Sequence, residues 1–169
     1  GHDAYLLDVF LGLENAPANL EDVFTLPGHG LEIAKGISTS EPDIEAVKAS
    51  RSDKSDCFLG PNVIELCRMA DITFLGLHGG EGENGKLQAT FDLLGIRYTG
   101  PDSLGCAVAM DKDFTKQVFQ QCGVDTPGGG CLHKDDEDKS LASLGLDLPV
   151  VIKPCSGGSS IGVYIVNTE

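Results

Sequence analysis

Basic residues are scarce in this chain, and their scarcity excludes one class of partner. Only 12 lysines and arginines stand against 26 aspartates and glutamates, for a formal net charge of −14. No Lys or Arg cluster could replace the counterions of nucleic-acid phosphates, so we predict no nucleic-acid partner. A chain this acidic must bind an anionic ligand locally, through a few placed lysines, backbone amides and divalent metal.

Long apolar runs are also missing. None approaches the roughly 20 residues of a membrane span, and no segment resembles a signal peptide. We therefore predict no membrane partner and a cytoplasmic location. The cysteines form no C-x-x-C pair and no histidine lies at zinc-ligand spacing, which predicts reduced, mostly buried thiols. The six cysteines are Cys57, Cys67, Cys106, Cys122, Cys131 and Cys155.

The order of predicted elements indicates an α/β fold. Helical spacing and caps predict helices over 61–70, 83–94, 102–109, 111–122 and 135–144. Apolar runs predict strands over 4–10, 31–37, 71–77, 96–99, 148–152 and 161–166. Strands that alternate with helices predict parallel strands with crossover helices. Residues 38–60 are polar and predict an exposed excursion, and the acidic run 135–138 favours a helix start over a metal site.

The most informative segment is LPVVIKPCSGGSSIGV, residues 148–163, where a lysine and a Gly/Ser loop separate two β-branched runs. Lys153 supplies a point charge. The loop offers close backbone approach and hydroxyl donors through Gly157, Gly158, Ser159 and Ser160. Amides beside a fixed cation suit a polyphosphate, although a flexible hairpin turn is the alternative. The Walker pattern differs, because it needs a helix after the loop.

Two further segments carry candidate chemistry. LHGGEGENG, residues 77–85, lies between a predicted strand and a helix, where glycines let amides face a small anion. His78 can donate a hydrogen bond or carry a proton, and Glu83 can orient an amine; a mobile glycine turn is the alternative. Lys112 lies in a first helical turn, where it opposes the helix dipole, which suggests a nearby anion. Asp111 as a simple cap is the alternative there.

Four motifs together resemble those of the D-alanine–D-alanine ligases of the ATP-grasp superfamily. In chain order they are HGxxGExG-x-L-Q, LGIRYTG, AxxMDK and PVVIKPxxxGSSIGV. The resemblance runs from His78 to the end of the chain and extends more weakly back to Tyr5. It implies that residues 1–107 are a Rossmann-like pre-ATP-grasp domain without its first βα unit. It also implies that residues 108–169 begin the central ATP-grasp domain.

The same resemblance implies an activity: ATP-dependent ligation of two D-alanines through an acylphosphate, for peptidoglycan synthesis and hence cell wall biogenesis and cell shape. It implies ATP and Mg²⁺ as cofactors, with the metal ligands expected in a missing C-terminal part, and a parent protein that is a homodimer. The nucleotide would be held by Lys112 and Lys153 and by a closing loop of Gly157, Gly158, Ser159, Ser160 and Gly162. His78, Glu83 and Ser159 would line the first D-alanine site, and Ser159 and His78 would be catalytic.

Departures from the family leave alternatives open. Asn84 stands where an aspartate is commoner. The family's first strand with its glycine-rich turn, and its C-terminal subdomain, are missing, so we expect the 169-residue chain alone to be inactive. The alternatives are a D-Ala–D-Lac or D-Ala–D-Ser ligase of the same fold, or a nucleotide-binding fragment without catalysis.

Overall fold

The computed structural model describes residues 1–26, 30, 35–36, 39–40 and 42–168. The chain divides into two compact units. The first comprises Gly1–Thr73 with Gly95–Arg97, and the second comprises Phe74–Leu94 with Tyr98–Glu169. No helix among the described residues is long and apolar enough to cross a membrane. The domain boundary that the sequence places at residue 107 stays a prediction.

The first unit is built on short helices. Among the described residues, a 3-10 helix spans Leu20–Thr25, and two α-helices follow, α1 over Ile44–Ser50 and α2 over Val63–Met69. The helix predicted over 61–70 is thus confirmed, whereas α1 lies in a segment for which no helix was predicted. The buried apolar side chains of this unit are Val23, Val63, Leu66, Cys67 and Ile96.

The strand predicted over residues 4–10 is wrong, because a turn forms at its end. One carboxylate oxygen of Asp8 accepts hydrogen bonds from the backbone N–H groups of Phe10 and Leu11, both at 2.8 Å. The backbone then closes from the Gly12 N–H to the Asp8 carbonyl at 2.9 Å. An aspartate that satisfies its own following amides competes with strand pairing. Most of the strand predicted over 31–37 lies outside the described residues.

Most of the described residues over 39–60 are exposed, as predicted, but they enclose a buried arginine. Arg51 is 1% exposed. Its guanidinium donates to the Cys57 carbonyl at 2.6 Å and to the Leu59 carbonyl at 3.1 Å, and it pairs with Asp53 at 2.8 Å. The same group lies 4.9 Å from the ring centroid of Phe10, within cation–π range. The polar segment is therefore wrapped around one cation.

The described part of the second unit contains four α-helices: α3 over Gly80–Glu83, α4 over Lys86–Leu94, α5 over Ser103–Met110 and α6 over Lys112–Gln121. The helices predicted over 83–94, 102–109 and 111–122 are confirmed to within a few residues.

Their ends follow local rules. Asp102 and Asp111 are the N-caps of α5 and α6, and each accepts a hydrogen bond from a backbone N–H three residues later. Gly95 follows α4 at φ +68°, which favours glycine at a helix end. In the interior, Phe91 is 1% exposed and packs edge-to-face on Tyr98 at 5.9 Å between ring centroids.

One sheet is present among the described residues. It is an antiparallel pair of β1, Val150–Ile152, and β2, Tyr164–Val166, with Val151 opposite Ile165. The two β-branched runs of the informative segment are thus confirmed as strands joined by the Gly/Ser loop.

The strands predicted over 71–77 and 96–99 are wrong as strands and are reduced to bridge residues Thr73 and Tyr98. The Thr73 N–H donates to the Arg97 carbonyl at 2.8 Å. The next donor along, the Leu75 N–H, goes to the Thr99 hydroxyl instead of a carbonyl, at 3.1 Å. A side chain that takes the ladder donor stops the pairing, so the parallel strands expected here are not found in the described part of the chain.

The acidic helix predicted over 135–144 is wrong except for a short 3-10 helix, Ala142–Leu144. Asp136 accepts from the His133 N–H at 2.6 Å, and Asp138 accepts from the Ser140 N–H at 2.8 Å. Aspartates that bond neighbouring amides favour turns over helix. No group of three or more potential metal ligands is found here or elsewhere among the described residues.

Candidate functional site

The Gly/Ser loop between β1 and β2 follows an unpaired cation. Lys153 is exposed and forms no ion pair within the described part of the chain. The loop then turns back on itself. Gly162, at φ +73°, lies against Pro154, so that a Cβ added there would meet the Pro154 ring at 2.9 Å. Ser159 adopts φ +54°, a conformation that non-glycine residues rarely take. The loop is therefore a specific turn rather than a linker.

A second lysine reaches this loop from the start of α6. The backbone N–H of Lys112 donates to the Cys155 carbonyl at 3.1 Å. Its ammonium donates to the same carbonyl at 3.3 Å and to the Gly157 carbonyl at 3.1 Å. The structure thus brings together two lysines that are 41 positions apart in sequence. Both were named from the sequence.

The two lysines and the loop enclose a small cavity of about 10 Å³. That volume holds about one water molecule. A phosphate group is larger, so admitting one requires the loop or the Lys112 side chain to move. Beside Lys112 and Lys153, the cavity is lined by Pro154, Gly157, Gly158, Ser159, Ile161 and Val163. Ser160 and Gly162, also named from the sequence, do not line it.

Asp111 fastens the start of α6 to the loop through its carboxylate. One oxygen accepts from the Phe114 N–H at 2.9 Å and from the Cys155 thiol at 3.2 Å. The Phe114 amide, followed by the Cys155 thiol, lowers the pKa of Asp111 below its ordinary value. The same Asp111 oxygen therefore caps α6 and holds the loop through Cys155. The sequence identified the cap but missed its bond to Cys155.

The glycine-rich segment at residues 77–85 is also an ordered turn. Gly79 adopts φ +70°, and its N–H donates to the Glu83 carboxylate, which closes the single turn of α3. Gly82 is buried, and a Cβ there would meet the Leu77 Cβ at 2.6 Å. His78 is exposed and makes no hydrogen bond within the ranges that the structure describes. The segment therefore has a defined turn conformation, and the mobile-turn alternative stays open.

The two glycine-rich segments touch at Gly79 and Gly158. A Cβ added to Gly158 would lie 3.0 Å from the Gly79 Cα and 3.2 Å from its nitrogen. The same added Cβ would lie 3.7 Å from a carboxylate oxygen of Glu83. A side chain at position 158 would crowd the Gly79 backbone, so this close approach favours glycine at position 158. The contact places Glu83 beside the loop that follows Lys153.

No magnesium site can be built from the residues described here, because they contain no cluster of three or more candidate ligands. Divalent magnesium requires several oxygen ligands in near-octahedral geometry. The available cations, Lys112 and Lys153, can balance anionic charge but cannot hold a metal ion. Where a magnesium ion would bind stays a prediction.

Comparison with known proteins agrees with the motifs. The family model described as "D-ala D-ala ligase N-terminus" matches residues 24–101. A D-alanine–D-alanine ligase from Lacticaseibacillus casei is 41% identical over 171 residues, covering 100% of this chain and 46% of that protein. The chain thus spans a little under half the length of such relatives.

Solved structures show the same relationship. A D-alanine–D-alanine ligase from Bacillus anthracis complexed with ATP matches with a TM-score of 0.54 and 36% identity, covering 64% of this chain and 36% of that one. The D-Ala:D-Ser ligase VanG from Enterococcus faecalis matches with a TM-score of 0.52 and 34% identity, covering 59% of this chain and 30% of that one. The α/β fold class, pre-ATP-grasp followed by the first part of ATP-grasp, is thereby confirmed. The chain belongs to the D-alanine–D-alanine ligase family.

Proposed function

We propose that this chain forms part of an enzyme that ligates two D-alanines to D-alanyl-D-alanine with ATP, for peptidoglycan synthesis. The observation that carries the proposal is the contact of Gly79 with Gly158. It sets the segment that bears His78 and Glu83 against the loop that follows Lys153 and that Lys112 reaches from α6. A ligase that activates a carboxylate with ATP needs its small substrate next to its phosphate site.

The nucleotide site of the proposal is the loop after β1. Lys112 and Lys153 supply the positive charge that offsets phosphate charge during phosphoryl transfer. The loop closes over the phosphates and excludes water, which would hydrolyse an acylphosphate. Its members are Gly157, Gly158, Ser159, Ser160 and Gly162. Magnesium is part of the proposal, although the described residues contain no cluster of three or more candidate metal ligands.

The amino-acid site of the proposal comprises His78, Glu83 and Ser159. The carboxylate of the first D-alanine attacks the γ-phosphorus of ATP, and ADP leaves. The amine of the second D-alanine then attacks the acyl carbon, phosphate leaves, and the amine loses a proton. His78 can donate to a carboxylate, Glu83 can bind an ammonium group, and the Ser159 hydroxyl can hydrogen-bond to either substrate or loop.

A second candidate is ligation of D-alanine to D-serine, which the similarity to VanG favours. D-lactate is a further candidate for the second substrate, as is nucleotide binding without catalysis. We also propose a cytoplasmic location and a homodimeric parent protein, as the family resemblance implies.

The test is phosphate release from ATP and Mg²⁺, measured on this chain and on the product of the full reading frame that contains it. D-alanine, D-serine and D-lactate are added in turn as second substrates, and the products are identified by mass spectrometry. We expect D-alanine-dependent release and D-alanyl-D-alanine from the full-length protein alone. Release by the 169-residue chain would contradict the residue assignments. ATP binding without release by either protein would support the binding-only alternative.

A further inference from the structure

We propose that Gln88 is a positioning residue for the ligase reaction, because its buried amide group holds the glycine-rich segment 78–85 in place. This inference rests on the proposed function, since that segment carries His78 and Glu83. Gln88 belongs to the motif quoted above but received no role there. It lies on α4, one turn beyond the segment it bonds.

The hydrogen bond that carries the inference is buried. Gln88 is 4% exposed, and its amide nitrogen donates to the Gly82 carbonyl at 2.8 Å. Gly82 is buried as well, against Leu77. A buried bond of this kind is costly to break, because the carbonyl left behind has no water to replace the lost donor. The middle of the segment is therefore tied to the body of α4.

The orientation of the Gln88 amide is set by this one bond. The other end of the side chain, its carbonyl oxygen, is buried and has no hydrogen-bond partner within the described part of the chain. Turning the amide over would bring two oxygen acceptors together at Gly82, which is repulsive. The bond to Gly82 therefore fixes the orientation of the Gln88 amide.

The consequence for the site follows from the order of contacts. The hydrogen bond from Gln88 fixes Gly82, and because Gly82 lies within the single turn of α3, both ends of that turn are fixed with it. At one end Glu83 accepts from the Gly79 N–H, and at the other Gly79 meets Gly158. A change at Gln88 therefore shifts the segment that would bind D-alanine, while Lys112 and Lys153 keep their places on other elements.

The test compares Gln88→Leu and Gln88→Glu with the unaltered full-length protein. Both variants lose the donor at neutral pH, and we expect kcat/KM for D-alanine to fall about tenfold, with KM for ATP within about twofold. A buried carboxyl group is protonated more readily than an exposed one and can then donate to Gly82. Gln88→Glu should therefore regain activity relative to the unaltered protein as the pH falls from about 8 to about 6, and Gln88→Leu should not.

The titratable and charged groups on the packed elements are Glu81 and Glu83 on α3, Lys86 and Asp92 on α4, Asp102 at the start of α5 and the Cys106 thiol on α5. Each rate is divided by the rate of the unaltered protein at the same pH, so that the effect of titrating these groups cancels. Gln120→Glu is the matched control, because Gln120 is exposed at the far end of α6. It adds the same charge and should leave both KM values unchanged.

Amide hydrogen exchange over residues 78–85 gives a readout that does not require activity. We expect about tenfold faster exchange there in Gln88→Leu, with exchange over α6 unchanged. Unchanged exchange over 78–85 would overturn the inference, whatever the kinetics. Uniformly faster exchange with a lowered Tm would also overturn it, since Gln88 would then be a general stability residue. An unaltered protein that fails to ligate D-alanine would overturn the proposed function, and the exchange data would still judge Gln88.

Discussion

The cations of the two units differ in burial and in the number of partners that the protein gives them. In the first unit, Arg51 is 1% exposed and its guanidinium is bonded to two carbonyls and a carboxylate. In the second, Lys153 is exposed, and Lys112 donates to loop carbonyls at 3.1 and 3.3 Å. A buried charge needs partners from the protein itself. A charge with few or replaceable partners can exchange them for a ligand, so the first cation maintains the fold and the others can bind.

The largest effect should come from Arg51→Ala. The change leaves the carbonyls of Cys57 and Leu59 without their donor and removes the packing on Phe10. We expect the free energy of unfolding to fall by about 3 kcal/mol, as measured by urea denaturation. Lys48→Ala is the control, because its pair with Glu45 is exposed, and it should change stability by about 0.5 kcal/mol or less. Equal effects of the two changes would remove the contrast between a structural and a surface cation.

Lys153→Ala in the full-length protein should affect ATP binding rather than stability, the reverse of Arg51→Ala. We expect ATP binding to weaken by about 2 kcal/mol, because a phosphate loses a charge-assisted partner. The unfolding midpoint should hardly move, since Lys153 is exposed. Calorimetric titration of ATP measures the first quantity and urea denaturation the second. Lys134→Ala, at another exposed lysine, is the control. Unchanged ATP affinity would exclude Lys153 from the nucleotide site.

Gly158→Val tests whether the loop works through close backbone contact. The added side chain would collide with Gly79, and overpacking of this kind costs about 1–3 kcal/mol unless the loop moves away. Because the loop is at the surface, we expect it to move, with about tenfold weaker ATP binding and a retained fold. Gly128→Ala is the control, since the nearest side-chain atom to its added Cβ is Leu146 Cδ2 at 4.0 Å. Global unfolding of Gly158→Val would make the loop a structural element instead.

The smallest effect concerns the acid limit of stability. The pKa of Asp111 is lowered in the folded chain, so its ionised form stabilises the fold fully above the unfolded aspartate pKa of about 3.9. That contribution is lost as the pH falls through the folded value. We expect Asp111→Asn, which can still cap α6, to weaken the decline of the urea midpoint below about pH 4. An identical acid profile in the variant would show that the Cys155 and Phe114 contacts do not depend on charge.

Local chemistry was the part of this structure that the sequence could predict. The helix starts at Asp102 and Asp111 depend on a side chain bonding an amide three residues away, which a pattern in the sequence reveals. The strand–loop–strand segment around Lys153 was predictable for the same reason. The wrong strand at 4–10 was also a local matter, because the Asp8 turn outweighed a run of apolar residues.

Hydrogen bonds that depend on how the chain folds back on itself were not predictable, whether the partners are six or 24 positions apart. The strands at 71–77 and 96–99 required a carbonyl where Thr99 offers a hydroxyl, and no periodicity shows that. Arg51 stands in a polar stretch typical of a surface, and its burial depends on where the carbonyls of Cys57 and Leu59 point. The role of Gln88 depends on a single bond to Gly82. The assignments of His78 and Ser159 stay predictions.

The meeting of Gly79 and Gly158 has a mechanical consequence. Most contacts between loops are made by side chains, which can change rotamer and so absorb a displacement of several tenths of an ångström. A close approach of two glycine backbones has no side chain that could adjust in this way. The backbone itself therefore limits how close either segment can come to the other, so the loop that would close over a phosphate and the turn that would hold an amino acid share one steric boundary.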